Sequence, residues 1–150
     1  MYDIVLAAHN IVRWFALILG ILVTVRAFLG WFGKKDWSVR DRKLGVYFTS
    51  AMDVQLLLGL LLYFFLSPLT RGGFQYISAA IGGQGLSFFA IEHPLAMILA
   101  VVFAHLGSAL SKKAPDSVGK YKQAAIWYTL SVLLLIVGMP WFAPLLPGLG

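Results

Sequence analysis

The chain is 150 residues long, 60% hydrophobic and only 12% charged, with a mean hydropathy of +0.84. Such a balance excludes an ordinary water-soluble domain, in which roughly a quarter of the residues carry charge. The formal net charge is +6 and there is no cysteine, so disulfides, thiolate-held clusters and covalently attached haem are excluded as well.

Four apolar stretches, at about 4–31, 44–66, 86–110 and 123–146, each supply the ~20 residues that cross a bilayer. None alternates with period two, so helices rather than barrel strands are expected. The connections are too short to hide a soluble domain. The expected architecture is therefore all-α: an integral membrane four-helix up-and-down bundle formed as one domain over residues 1–150. Lys34, Lys35, Arg40, Arg42 and Lys43 crowd the first connection and Lys112, Lys113, Lys120 and Lys122 the third, whereas the second carries Arg71. By the positive-inside rule the first and third connections face the cytoplasm and both termini are extracytoplasmic. The basic pI thus reads as a topology signal, and nucleic acid is not an expected partner. The start Met1-Tyr2-Asp3 has no basic region ahead of a short apolar core, so no cleaved signal peptide is expected.

Taken in chain order, helix one carries His9 about 7 Å below its outer start at Ile4, with Asn10 beside it and Arg13 about one turn deeper on the same face. Helix two carries Asp53 about 14 Å from its inner end at Leu44, followed by Gln55. An acid at that depth needs a partner, and Arg26 and His105 are the candidates. The connection 67–85 holds Gly72, Gly73, Gly82, Gly83 and Gly85 around Tyr76 and Ile77; it is read as a glycine loop, or as a cap over the outer mouth.

Helix three brings Glu92 and His93 just before Pro94. The proline crowds and orphans the carbonyl one turn back, so a kink is expected at Ala90, and His93 serves either as a ligand or as the group that satisfies the freed carbonyl. His105, about 7 Å from the inner end at Leu110, is read as structural or proton-handling. The stretch 111–119, with Pro115 and Asp116, is read as a plain turn between antiparallel neighbours and is assigned no chemistry. For Arg13 and Glu92 the default is a salt bridge across the bundle. The functional alternative sets Arg13 against a haem propionate or quinone oxygen and Glu92 as a proton carrier.

His93 lies about 10 Å below Leu86, which makes it nearly level with His9. Helices one and three of an up-and-down bundle are parallel and diagonal, so level imidazoles can approach a planar iron porphyrin from opposite faces. The set His9-Asn10-x-x-Arg13-Trp14, Asp53-x-Gln55, Glu92-His93 with Met97, and His105-x-Gly107 resembles small bacterial four-helix membrane proteins labelled cytochrome b-like. That resemblance covers nearly the whole chain and implies non-covalent haem b, electron transfer and the bacterial inner membrane as location. Larger diagonal-histidine cytochromes b carry a second histidine pair further along the same helices. Here His105 has only Ile21, Leu22 and Val23 at the corresponding positions of helix one, so a second bis-histidine haem is not expected.

The leading expectation is a b-type electron carrier or small oxidoreductase subunit rather than a stand-alone enzyme. His9 and His93 would be its metal ligands, Arg13 and Asn10 further cofactor contacts, Glu92 and Asp53 the catalytic carboxylates, and quinol or a redox protein its partner. Two other readings stay open. One is a non-redox assembly protein binding a divalent metal through His93 and Glu92; the other is a proton-coupled transporter subunit that uses Asp53 and His105 and completes itself as a homo-oligomer.

Overall fold

The computed structural model describes residues 1–68, 70 and 88–141. Helix α1 spans Tyr2–Phe32 and α2 spans Val39–Leu61, continuing into a π-helical turn, Leu62–Leu66. A second π-helical turn, Phe88–Glu92, leads into α3, His93–Lys113, and α4 is Ser117–Val137. Among the described residues there is no strand. The expected glycine connection from Arg71 to Gly85, the start of the third apolar stretch at Leu86 and the end of the fourth beyond Trp141 lie outside the described residues.

Three helices, Tyr2–Phe32, Val39–Leu66 and Phe88–Lys113, are long and apolar enough to cross a membrane. The described part of α4 does not reach that measure. It begins at Ser117, six residues before the apolar stretch read from the sequence, so Lys120 and Lys122 fall inside it. The surface pattern is inverted relative to a soluble bundle. Along α1, Ile11, Phe15, Ile18, Leu22 and Leu29 are exposed while His9, Asn10 and Arg13 are buried. Such a surface is compatible with hydrocarbon as the solvent, because there the polar groups must turn inward to find partners.

The helices form a square. Each of α1 and α3 packs against both α2 and α4, with α3 against α4 the most extensive contact and α2 against α3 the least. Helices α1 and α3 are therefore diagonal, as expected. Small residues set the spacing: a Cβ added at Gly107 would lie 2.6 Å from Tyr128 Cε1, and one at Gly45 would meet the Tyr128 hydroxyl. Without side chains on α2 and α3 at these points, the Tyr128 ring of α4 fits between them. Ser131 Oγ adds a hydrogen bond of 2.7 Å to the Ala100 carbonyl across α4 and α3.

One end of the bundle is fastened by Asp41. Ser38 caps α2 with a reciprocal box, its hydroxyl accepting from Asp41 N at 3.3 Å while Asp41 Oδ2 accepts from Ser38 N at 2.9 Å. The same carboxylate accepts from Arg26 Nε of α1 at 2.7 Å and from the Tyr121 hydroxyl of α4 at 2.8 Å. Asp41 and Tyr121 are buried, so this knot ties three helices at the level of the first basic connection. Arg26 is thereby committed to Asp41, which corrects one of the two partners considered for Asp53.

Substituting Gly107→Val is expected to displace Tyr128 and destabilise the bundle by about 1–3 kcal/mol, the usual cost of overpacking. A lowered thermal midpoint in detergent, followed by circular dichroism, checks it.

Candidate functional site

At the end opposite the Asp41 knot, all four helices contribute to one polar cluster. His9 of α1 and His93 of α3 meet across the diagonal with ring centroids 6.2 Å apart and planes inclined at 67°. His9 is 7% exposed. Its Nε2 lies 3.0 Å from Gln55 Nε2 of α2; with the amide donating, the imidazole proton resides on Nδ1. One turn further along α2, Gly59 faces the same ring, and an added Cβ would stand in ordinary contact with it, 3.4 Å from His9 Cε1.

His93 is held from the other side. Its Nδ1 donates to the Gly138 carbonyl, the residue that caps α4, at 2.7 Å. A carbonyl can only accept, so the proton sits on Nδ1 and the lone pair on Nε2. The rings of Phe88 and Phe89 flank the imidazole at 5.9 and 6.3 Å.

The local chain path follows from Pro94. Lacking an N–H, it cannot bond the Ala90 carbonyl, and the chain opens into a π-helical turn rather than a simple kink. The expected alternative, His93 satisfying this carbonyl, is corrected: the Tyr63 hydroxyl donates to Ala90 O at 2.9 Å. Tyr63 itself lies in the π-helical turn that ends α2, so the two widened turns are bonded to each other.

A cavity of about 170 Å³ adjoins both histidines, walled by Gln55, Gly59, Tyr63, Pro94, Met97 and Leu135 among others. Its mouth lies between α2 and α3, where Phe64 and Ile98 are 62% and 46% exposed. Among the described residues, two buried polar atoms of its lining side chains, His9 Nδ1 and Gln55 Oε1, have no hydrogen-bond partner.

The remaining sequence candidates divide. Arg13 is 4% exposed and Asn10 9%, both on the buried face of α1 that carries His9; Arg13 lies 6.0 Å from the Trp14 ring. Glu92 is exposed and forms no ion pair with Arg13. The expected bridge between them is overturned because the π-helical turn carries Glu92 to the outside while Arg13 faces inward. Asp53 pairs with His105, Nε2 to Oδ1, at 2.8 Å. That pair is separate from Gln55, which belongs to His9. Among the described residues no three His, Asp or Glu side chains converge as metal ligands. Sequence reasoning missed Gln55 as the partner of His9, and also Gly59, Tyr63 and Gly138. The only signal was Gln55 at a depth where an amide must find a partner.

Comparison with protein-family models, curated proteins and solved structures finds no match to this chain.

Replacing His93 by phenylalanine keeps the aromatic volume but strands the Gly138 carbonyl. His93→Phe is expected to destabilise the fold by about 1–3 kcal/mol and to alter the fluorescence of Trp141, three residues beyond. Thermal melting and the tryptophan emission maximum measure the two effects.

Proposed function

We propose that this chain is a b-type cytochrome of the bacterial inner membrane, with one non-covalent haem held between α1 and α3 by His9 and His93 and both termini extracytoplasmic. The observation that carries the reading is the diagonal imidazole pair at 6.2 Å. Two metal–nitrogen bonds of about 2 Å plus the half-widths of two rings span about 6 Å, so the spacing suits one metal ion sandwiched between axial nitrogens. Supporting it are His93 Nε2, which in the neutral ring keeps a lone pair while Nδ1 donates to Gly138, and the cavity beside both rings; on the other side the Gln55 amide, turned so that its oxygen accepts from His9 Nε2–H, would leave the ligating lone pair on His9 Nδ1. The cavity compares with voids that hold a benzene. A whole macrocycle therefore requires the open side between α2 and α3, the pair of neighbouring helices with least mutual contact.

When bound, the haem iron supplies one-electron chemistry. The protein's own residues do the rest. Gly138 orients the His93 ring and makes its ligating nitrogen more basic, while Gln55 holds His9. Leu56, Met97, Val101 and Leu135 line the slot and exclude water, which favours transfer without large solvent rearrangement. Arg13, buried on the face of His9, supplies positive charge of the kind that balances a propionate. Glu92, exposed at the same end, is the carboxylate available to take a proton at the outer surface. Electrons would arrive from membrane quinol or a redox protein.

The test is optical. Wild-type protein purified in mild detergent from cells given a haem precursor is expected to show a b-type reduced-minus-oxidised spectrum. His9→Ala and His93→Ala lose it, His105→Ala keeps it, and Gly59→Leu, which fills the cavity beside His9, lowers haem uptake at least about tenfold, the effect of 1.4 kcal/mol. A colourless wild type refutes the cytochrome assignment and favours the assembly reading.

A further inference from the structure

The Asp53–His105 pair has no place in holding a cofactor, yet its position is unusual. Both side chains are half exposed, 49% and 51%, and their exposed neighbours Val54, Leu57, Ile98 and Val102 are apolar. Asp53 lies about 14 Å along α2 from Leu44, too deep for lipid headgroups to reach. A polar pair facing hydrocarbon at that depth is costly unless something covers it.

Its placement says where that something sits. Asp53 shares a face of α2 with Leu60 and Phe64, and His105 shares a face of α3 with Val101, Ile98 and Pro94, at helical spacings of three and four residues. All five of those apolar residues line the cavity beside His9 and His93. The pair thus closes the inner end of an apolar seam between α2 and α3 whose outer end opens into that cavity, about 10 Å away along the helix axis.

Hydrogen-bond capacity narrows the occupant. In the neutral imidazole, Nε2 donating to Asp53 Oδ1 leaves a lone pair on His105 Nδ1, and Asp53 Oδ2 is also an acceptor. Among the described residues neither atom makes another hydrogen bond. Both spare atoms accept, so the ligand must donate, and it must do so from inside the bilayer. We infer that Asp53 and His105 bind the hydroxyl of a membrane-soluble quinol whose apolar body lies at the inner end of the α2–α3 seam, beyond the cavity and toward lipid. The inference rests on the membrane-cytochrome reading for its choice of a redox-active hydroxyl, and it moves the quinol from Glu92 at the outer surface to the inner end of the seam. Because both spare atoms are acceptors, the reduced ligand binds and the oxidised quinone, which has no hydroxyl to donate, binds more weakly.

Isothermal titration of the dithionite-reduced full chain in lipid nanodiscs with decylubiquinol, with empty nanodiscs correcting for partition into lipid, is expected to show saturable one-to-one binding. Asp53→Leu and His105→Phe, apolar replacements that hydrocarbon tolerates, should each weaken it at least about tenfold, the loss of about 1.4 kcal/mol that follows removal of a hydrogen bond away from water. Both variants should retain the wild-type haem spectrum. Absence of saturable binding, or undiminished affinity in both variants, overturns the assignment. So does a dimer that the two substitutions split, seen by light scattering, without quinol binding, because a second copy then covers the pair. A colourless wild type that still binds decylubiquinol through Asp53 and His105 refutes the haem reading alone and leaves the quinol site standing.

Discussion

The hydrogen bond from His93 Nδ1 to the Gly138 carbonyl organises the site end of the molecule. It joins the start of α3 to the cap of α4, and at 2.7 Å it settles which ring nitrogen carries the proton. A buried imidazole without such a partner would be free to choose its tautomer and its rotation. With the partner, one nitrogen is consumed by structure and the other is aimed. His9 gains the same definition from Gln55, so each histidine is held by a helix to which it does not belong. The two rings are brought together by α2 and α4 as much as by the helices that bear them.

A chain with an apolar outside must resolve its polarity inside, and two ends of this bundle do so differently. Near the basic connection, Asp41 gathers Arg26, Ser38 and Tyr121 into a closed set in which the carboxylate is satisfied several times over. At the other end, among the described residues, His9 Nδ1 and Gln55 Oε1 have no hydrogen-bond partner beside an open space. Fully paired networks rigidify, whereas unpaired buried groups are costly and are retained where they have a use.

The helices are legible in the sequence because long apolar runs are a strong signal, and the level placement of His9 and His93 follows from counting a rise per residue along diagonal helices. Their boundaries are less legible. Helix α4 begins at Ser117 because Asp116 caps it, accepting from Gly119 N, a local polar event that hydropathy does not register. What the sequence hides is the consequence of Pro94. A proline predicts a freed carbonyl, but not that the chain widens into a π-helical turn, that Tyr63 from another helix satisfies Ala90, or that the altered register carries Glu92 outward and away from Arg13. The partners Gly138 and Gly59 act through a backbone oxygen and a missing side chain, and neither announces itself by residue type.

The Asp41 knot fastens the first, second and fourth helices at one end only, while α2 and α3 touch least along the edge where the cavity opens. A bundle clasped in this way behaves as a clothes-peg rather than a sealed tube. The clasp fixes the order of three helices at one end and leaves the α2–α3 edge as the loosest joint of the four.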